Sequence, residues 1–204
     1  SMLLALSAIA RAPVDETLRL RASDCADDVY DAIGERWHDS GVFERAPGDD
    51  ALDVSTLALI CAHREYAAAN GTLDQQRIDR LVEHTATTVD GLSRHDADGE
   101  LLGLVRFEGD GWRKRGQDES KLWPLAVGWA ASANADLGGL IDEYGARSST
   151  DESPVDAAFE RARMLLDLIQ PDGQLAGAEG YLSEQTFDDG TPDSATPFAW
   201  AHGL

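Results

Sequence analysis

Lysine is nearly absent from this chain of 204 residues, although charged side chains are common. Lys114 and Lys121 are the two lysines, and all other basic residues are arginine. Acidic residues outnumber basic ones 38 to 17, which gives a formal net charge of −21. Charges of one sign repel each other in a compact chain, and molar salt, with a Debye length of about 3 Å, screens that repulsion. The composition therefore predicts a protein adapted to the salt-rich cytoplasm of a halophile.

The sequence also lacks a basic cluster large enough to bind polyanions. Nucleic acids and anionic membranes attract proteins mainly through patches of lysine and arginine, so we expect neither as a partner. No apolar run approaches the roughly 20 residues that cross a bilayer. Residues 1–10 are apolar but have no basic start and no twin arginine, so they predict the end of a helix rather than a secretion signal.

Cysteine is scarce as well. Cys25 and Cys61 are the only two, and their spacing fits neither a disulfide framework nor a metal site. We expect two buried free thiols, no metal ion and no cofactor. Phosphate-binding loops, dinucleotide fingerprints and the Gly-x-Ser-x-Gly elbow of many hydrolases are missing too.

Apolar residues at helical spacing are what the chain has in abundance. They predict an all-α fold in a single domain over residues 1–204, with little sheet beyond short hairpins. Long loops on a helical scaffold often carry binding residues. The predicted helices cover residues 24–37, 53–66, 74–89, 120–135 and 156–169, and the predicted loops cover 46–50, 93–117, 145–152 and 171–195.

One carboxylate lies within an apolar and aromatic stretch. Desolvating such a group is costly unless it is hydrogen-bonded or used, so Glu184 is a candidate working residue. The surrounding sequence is Tyr181-Leu182-Ser183-Glu184-Gln185, then Thr191-Pro192-Asp193-Ser194-Ala195-Thr196-Pro197-Phe198-Ala199-Trp200-Ala201-His202. It resembles glucoamylases of glycoside hydrolase family 15, in which a Ser-Glu-Gln triplet, a turn and a Ser-Ala-Thr-Pro helix start follow in this order.

The resemblance implies an (α/α)6 toroid of helical hairpins that acts on an α-glucan or maltooligosaccharide. In that reading Glu184 is the general base that activates water for hydrolysis with inversion. Its surroundings would be formed by Tyr181, Gln185, Trp200 and His202.

A second segment resembles the Arg-Tyr-x-x-Asp-x-Tyr loop of the same family. It is Leu104-Val105-Arg106-Phe107-Glu108-Gly109-Asp110-Gly111-Trp112, followed by Leu122-Trp123-Pro124-Leu125. A guanidinium fork suits paired sugar hydroxyls, and an aromatic face suits the C–H side of a pyranose. The resemblance implies that Arg106 binds the terminal glucose, that Asp110 orients Arg106, and that Trp123 or Trp112 forms a stacking wall. The alternative is that Arg106 only pairs with Glu108 on the surface.

A third, weaker match runs from Ala51 to Leu57, where Asp53 is better explained as a helix N-cap.

In the second segment, Phe107 departs from the family pattern, because tyrosine is usual there. This difference puts the acceptor subsite in doubt.

The family's general acid has no counterpart in this chain. It belongs to a Trp-Glu-Glu type segment, and no Trp-Glu pair occurs here. The match over residues 24–204 therefore predicts the carboxy-terminal half of a glucan 1,4-alpha-glucosidase type enzyme, inactive when alone. Two alternatives stay open: a chain that binds saccharide without hydrolysis, and an obligate subunit that self-associates or binds a missing amino-terminal half. The second would expose an apolar face along Leu3 to Ile9.

Overall fold

The computed structural model describes residues 2–112, 116–145, 153–177 and 179–194. Within these ranges the chain is mostly helical, as predicted, and its sheet consists of two short antiparallel hairpins. The helices are α1 (Met2–Arg11), α2 (Glu16–Gly34), α3 (Ala58–Asn70), α4 (Gln75–Leu92), α5 (Pro124–Tyr144) and α6 (Pro154–Ile169), with a 3-10 turn at Val54–Leu57 before α3. The strands are β1 (Trp37–His38), β2 (Val42–Phe43), β3 (Ser93–His95) and β4 (Leu101–Leu104).

Local capping chemistry explains most helix boundaries. Asp53 accepts a hydrogen bond from the backbone N–H of Ser55 and so caps the 3-10 turn, as predicted. Asp74 caps α4 in the same way, and α3 ends at Gly71, whose φ of 72° suits glycine. Pro124 begins α5, where its missing N–H costs no hydrogen bond.

The start and end of α2 differ from the prediction. Asp15, not Asp24, is the N-cap, because its carboxylate accepts from the N–H groups of Thr17 and Leu18. No helix breaker separates the two aspartates, so the helix extends through Asp24. Trp37 lies in β1 rather than on the last turn of α2, which ends at Gly34.

Two pairs of consecutive helices pack closely against each other, α1 with α2 and α5 with α6. Contacts between α1 and α3 and between α3 and α5 join the odd-numbered helices into one row. Single side-chain contacts connect the even-numbered helices into a second row: Arg77 of α4 donates to the carbonyl of Tyr30 in α2 at 3.2 Å, and Arg161 of α6 lies 3.7 Å from Asp90 of α4.

The main hydrophobic core lies between α3, α4 and α5. Ile60, Leu81, Val127 and Leu140 are all completely buried there, and each contributes about 1.5–3 kcal/mol by leaving water. None of the described helices combines the length and apolar character needed to span a membrane.

Two expectations about exposure were wrong. Leu3 is completely buried against Ala26 and Ala62, because α2 and α3 cover the inner face of α1. Leu4 and Leu6 are partly buried as well, and of the large apolar residues expected to be exposed Ile9 alone is, so no continuous apolar face is open along α1. Cys25 is exposed on α2 and Cys61 is partly exposed on α3, although both thiols are free as expected.

Candidate functional site

Backbone pairing attaches the Glu184 loop to the beginning of α5. Leu122 and Thr186 exchange two hydrogen bonds of 3.0 and 2.9 Å in an antiparallel bridge. The next residue, Trp123, donates its N–H to the carbonyl of Leu104 at the end of β4 at 2.8 Å. The loop that contains Glu184, the start of α5 and the β3–β4 hairpin therefore form one connected unit.

The loop that contains Arg106 is held against the segment before α3. Val54 donates to the carbonyl of Arg106 at 3.0 Å, and Glu108 donates to the carbonyl of Leu52 at 2.8 Å. All three segments that resemble the glucoamylase family thus meet at one place, although they are far apart in the sequence.

A pocket of about 230 Å³ opens at this meeting point. It contains three of the predicted site residues, Glu184, Arg106 and Trp123, each from a different loop or helix start. The remaining lining residues are Val54, Leu125, Ala126 and Trp129. A charged group of each sign beside two indole rings is an arrangement suited to a polyhydroxylated ring with one apolar face.

Arg106 is held by a carboxylate and by two aromatic rings. Its Nη2 donates to Oδ1 of Asp110 at 3.2 Å, and its Nε lies 3.2 Å from Oδ2, close enough for ion pairing but not aligned as a second hydrogen bond. The guanidinium carbon lies 4.2 Å from the centre of the Trp123 ring and 4.6 Å from that of Phe107. These contacts fix the direction of the cation.

Asp110 is the partner of Arg106, and Glu108 is not. Asp110 is only 2 % exposed and also accepts the N–H of Trp112 at 3.0 Å. The carboxylate of Glu108 instead lies 3.4 Å from the backbone nitrogen of Leu52. The surface pairing of Arg106 with Glu108, the alternative that the sequence allowed, is therefore not the arrangement found.

Hydrogen bonds hold the two residues beside Glu184 in place, whereas its own carboxylate has none among the described residues. Ser183 donates to the carbonyl of Gln185 at 2.6 Å, and Gln185 donates its N–H to Ser194 at 2.9 Å and its side-chain amide to the carbonyl of Trp112 at 3.3 Å. Within the part of the chain that the structure describes, no hydrogen bond or ion pair occupies the partly buried carboxylate of Glu184. The carboxylate is therefore available to a ligand or a water molecule.

Two predicted residues lie near the pocket without lining it. Tyr181 is 45 % exposed and Trp112 is 53 % exposed, and Trp112 contributes its carbonyl to Gln185. Trp200 and His202, which the resemblance also implied, lie outside the described residues.

Trp129 is the most informative residue that the sequence reasoning missed. It follows Leu125 by four positions, so both side chains share one face of α5 and reach the same pocket. Helical spacing from the Trp-Pro start of α5 could have identified it. Val54 was missed because it lies inside the segment that was interpreted only as a helix cap.

A second pocket, of about 250 Å³, continues from the first along α5 and shares Trp129 as a wall. Mainly small or apolar residues line it: Ser55, Leu57, Ala58, Cys61, Ser132, Ala133 and Asp136. Burial, reinforced by the charge of nearby Asp136, raises the pKa of the Cys61 thiol, so this cysteine is a poor nucleophile at neutral pH. The two pockets are thus neighbours, with Trp129 lining both.

A more spacious cavity lies elsewhere, between α4, the β3–β4 hairpin and α6. It measures about 570 Å³ and contains none of the predicted site residues. The larger cavity is therefore not the one in which the predicted residues meet. The pocket of about 230 Å³ is the better candidate site, because it contains Glu184, Arg106 and Trp123.

Comparison of the chain with models of protein families, with curated proteins and with solved structures found no match. The interpretation of the site depends on its geometry and on the motif resemblance described above.

Proposed function

We propose that the chain is the carboxy-terminal half of a glucoamylase-like (α/α)6 toroid. The helix pairs α1–α2 and α5–α6, with the direct contacts that join α1, α3 and α5, support this proposal. A complete toroid of this type has six such pairs. The strong negative charge supports the further proposal that the protein works in the cytoplasm of a halophile.

The proposed activity of the complete protein is release of glucose from α-glucosidic ends with inversion. Glu184 is the general base for the attacking water, Arg106 donates hydrogen bonds to hydroxyls of the terminal glucose, and Trp123 and Trp129 contact the apolar side of the ring. The observation that carries this proposal is that one pocket contains Glu184, Arg106 and Trp123, each expected from a separate motif.

The general acid is assigned to sequence outside this chain. Inverting glycosidases need a second carboxyl group roughly 6.5–9.5 Å from the first, leaving room for the water. Among the described residues that line the pocket, Glu184 is the only carboxylate. Hydrolysis of an ordinary glucoside by this chain would therefore lack protonation of the leaving oxygen.

A base in this chain and an acid outside it can be tested with two substrates. Fluoride leaves a sugar without being protonated, so α-glucosyl fluoride needs the base and not the acid. We expect the purified chain to release fluoride from this substrate and to release no glucose from maltose above background. Mass spectrometry must show that no longer species is present.

The matched control is in the same loop. Glu184→Gln should abolish fluoride release, whereas Glu179→Gln, the same change at an exposed position, should leave it intact. Equal fluoride release by the two variants would exclude Glu184 as the base. Turnover of maltose at the roughly 1–10³ per second typical of complete enzymes would exclude a missing acid.

A second proposal is that the chain is an obligate subunit. Large apolar side chains are exposed on the first and the last helix of the even-numbered row: Leu18 and Leu20 on α2, and Phe159, Met164 and Leu166 on α6. Such surface favours association with another chain or with a second copy. Sedimentation velocity in molar potassium chloride tests self-association, because a chain that stays monomeric at high concentration would exclude a second copy as the partner.

A further inference from the structure

One of the two lysines in this chain is completely buried beside the candidate site. Lys121 is 1 % exposed, its ammonium group pairs with the carboxylate of Asp193, and its Nζ lies 4.5 Å from the centre of the Phe187 ring. Asp193 and Phe187 both belong to the loop that contains Glu184. The lysine that precedes α5 is therefore in contact with that loop through a charge and through an aromatic ring.

The buried pair is connected to Glu184 by a short series of hydrogen bonds. Asp193 donates its backbone N–H to the carbonyl of Gln185 at 3.0 Å, and Gln185 follows Glu184 directly. On the other side, Leu122 follows Lys121 and forms the two-bond bridge with Thr186. The ion pair thus closes a small ring of contacts at the position from which Glu184 enters the pocket.

A buried ion pair contributes little to net stability, because desolvation offsets the attraction, but removing one partner leaves the other charge buried and unpaired. The pair therefore strongly disfavours any arrangement in which Asp193 moves away from Lys121 without reaching water. A compact ammonium group also fits an enclosed space that a planar guanidinium would have to widen. This difference is a physical reason for lysine rather than arginine at position 121, in a chain that has only one other lysine.

We propose that Lys121 is a positioning residue, which holds the loop of residues 181–194 so that Glu184 lines the pocket. This proposal rests on the proposed function only for its effect on sugar binding. Its effect on the loop can be measured without any ligand.

The first measurement is hydrogen exchange in molar potassium chloride. Lys121→Met should increase exchange of the amides of Gln185, Thr186 and Asp193 at least about tenfold, while core amides of α3 and α5 exchange as in the original protein. The double variant Lys121→Met with Asp193→Leu replaces the ion pair by apolar groups and should restore slow exchange in the loop. Asp193→Asn provides an independent variant in case Lys121→Met does not fold.

The control is an exposed ion pair of the same kind. Arg45→Met removes the partner of Asp49, which lies 2.7 Å from it on the surface, and should leave exchange in the loop unchanged. Unchanged loop exchange in both Lys121→Met and Asp193→Asn would overturn the proposal. Equal acceleration throughout the molecule would also overturn it, because the pair would then act on global stability alone.

The second measurement links the loop to binding. If the loop is docked in only a fraction of molecules, the apparent dissociation constant of maltose, which the chain is expected not to hydrolyse, rises by the inverse of that fraction. A tenfold decrease in the fraction of molecules with a docked loop should thus weaken binding about tenfold, while the free energy of global unfolding stays the same. An affinity that stays constant while the loop opens would contradict the role of Lys121 in positioning Glu184. If the original protein binds no glucoside, the proposed function fails, and the exchange experiment still decides whether Lys121 holds the loop.

Discussion

The guanidinium carbon of Arg106 lies 4.2 Å from the centre of the Trp123 ring, although 16 residues separate the two along the chain. The indole supports the cation from one side and Asp110 holds it from another. Among the described residues, Arg106 donates only one side-chain hydrogen bond, so most of its five N–H groups remain for a ligand. The pair combines a fixed donor and an apolar wall in one pocket, which is what recognition of a sugar ring requires.

Replacing Arg106 by lysine should therefore weaken sugar binding while keeping the charge. Lysine has neither the planar fork nor the stacking surface, so we expect the dissociation constant of maltose to rise at least about tenfold. The buried carboxylate of Asp110 would also lose the hydrogen bond from the guanidinium group. This loss should lower the free energy of unfolding by about 1–3 kcal/mol. Titration followed by tryptophan fluorescence and urea unfolding measure the two effects.

Arg45→Lys is the matched control for this change, because Arg45 pairs with Asp49 on the surface. An unchanged dissociation constant in Arg106→Lys would remove Arg106 from the binding site.

The proposed function predicts that Glu184→Gln in a complete enzyme lowers the turnover number at least about a hundredfold, which is the lower end of what a general base contributes. The Michaelis constant should change much less, because glutamine keeps the shape of the side chain and loses only the base. Steady-state kinetics on maltose measure both constants. Near-normal turnover in this variant would show that another group activates the water.

Stability should fall in acid because two histidines are buried in the neutral form. Burial lowers the pKa of His63 and of His84 to about 4, below the value of about 6.5 expected when the chain is unfolded. Their contribution to stability is therefore complete above pH 6.5 and is lost as the pH falls through 4. Each histidine should contribute on the order of 3 kcal/mol at neutral pH.

Neutral imidazole is required by its hydrogen bonds as well. His63 Nε2 lies 2.9 Å from Nη1 of Arg77, and His84 Nδ1 lies 3.3 Å from the backbone N–H of Phe43, so both nitrogens act as acceptors. Urea unfolding at pH 7, 6, 5 and 4 measures the effect. His84→Gln should flatten the decrease, whereas His95→Gln, at an exposed histidine, should leave it unchanged. Constant stability from pH 7 to 4 would contradict the depressed pKa values.

Salt should stabilise the fold strongly. With a net charge of −21, self-repulsion opposes the compact state in dilute buffer, and molar potassium chloride screens it. The melting temperature should thus rise steeply from dilute buffer to molar potassium chloride in a thermal scan. A flat melting temperature would show that the acidic surface does not limit folding.

Local chemistry determined the features that the sequence predicted well. Asp53 and Asp74 cap the helical segments that follow them, and Gly71 ends α3, because each needs only the backbone within a few residues. The all-α character follows in the same way from helical spacing. The roles of the three loops in sugar hydrolysis are predictions from motif resemblance.

The sequence by itself thus determined which segments are helical and which side chains have chemistry suited to a saccharide, although α2 begins at Glu16, before the predicted start at 24, and α5 ends at Tyr144, after the predicted end at 135. Only the tertiary structure decided which of them meet. Partners more than fifty residues away contribute to three features: Ala62 to the burial of Leu3, Asp193 to the enclosure of Lys121, and Glu184 to the pocket that Trp129 lines. Such contacts follow from how helices pack across the fold, and no pattern within a single turn or helix encodes them.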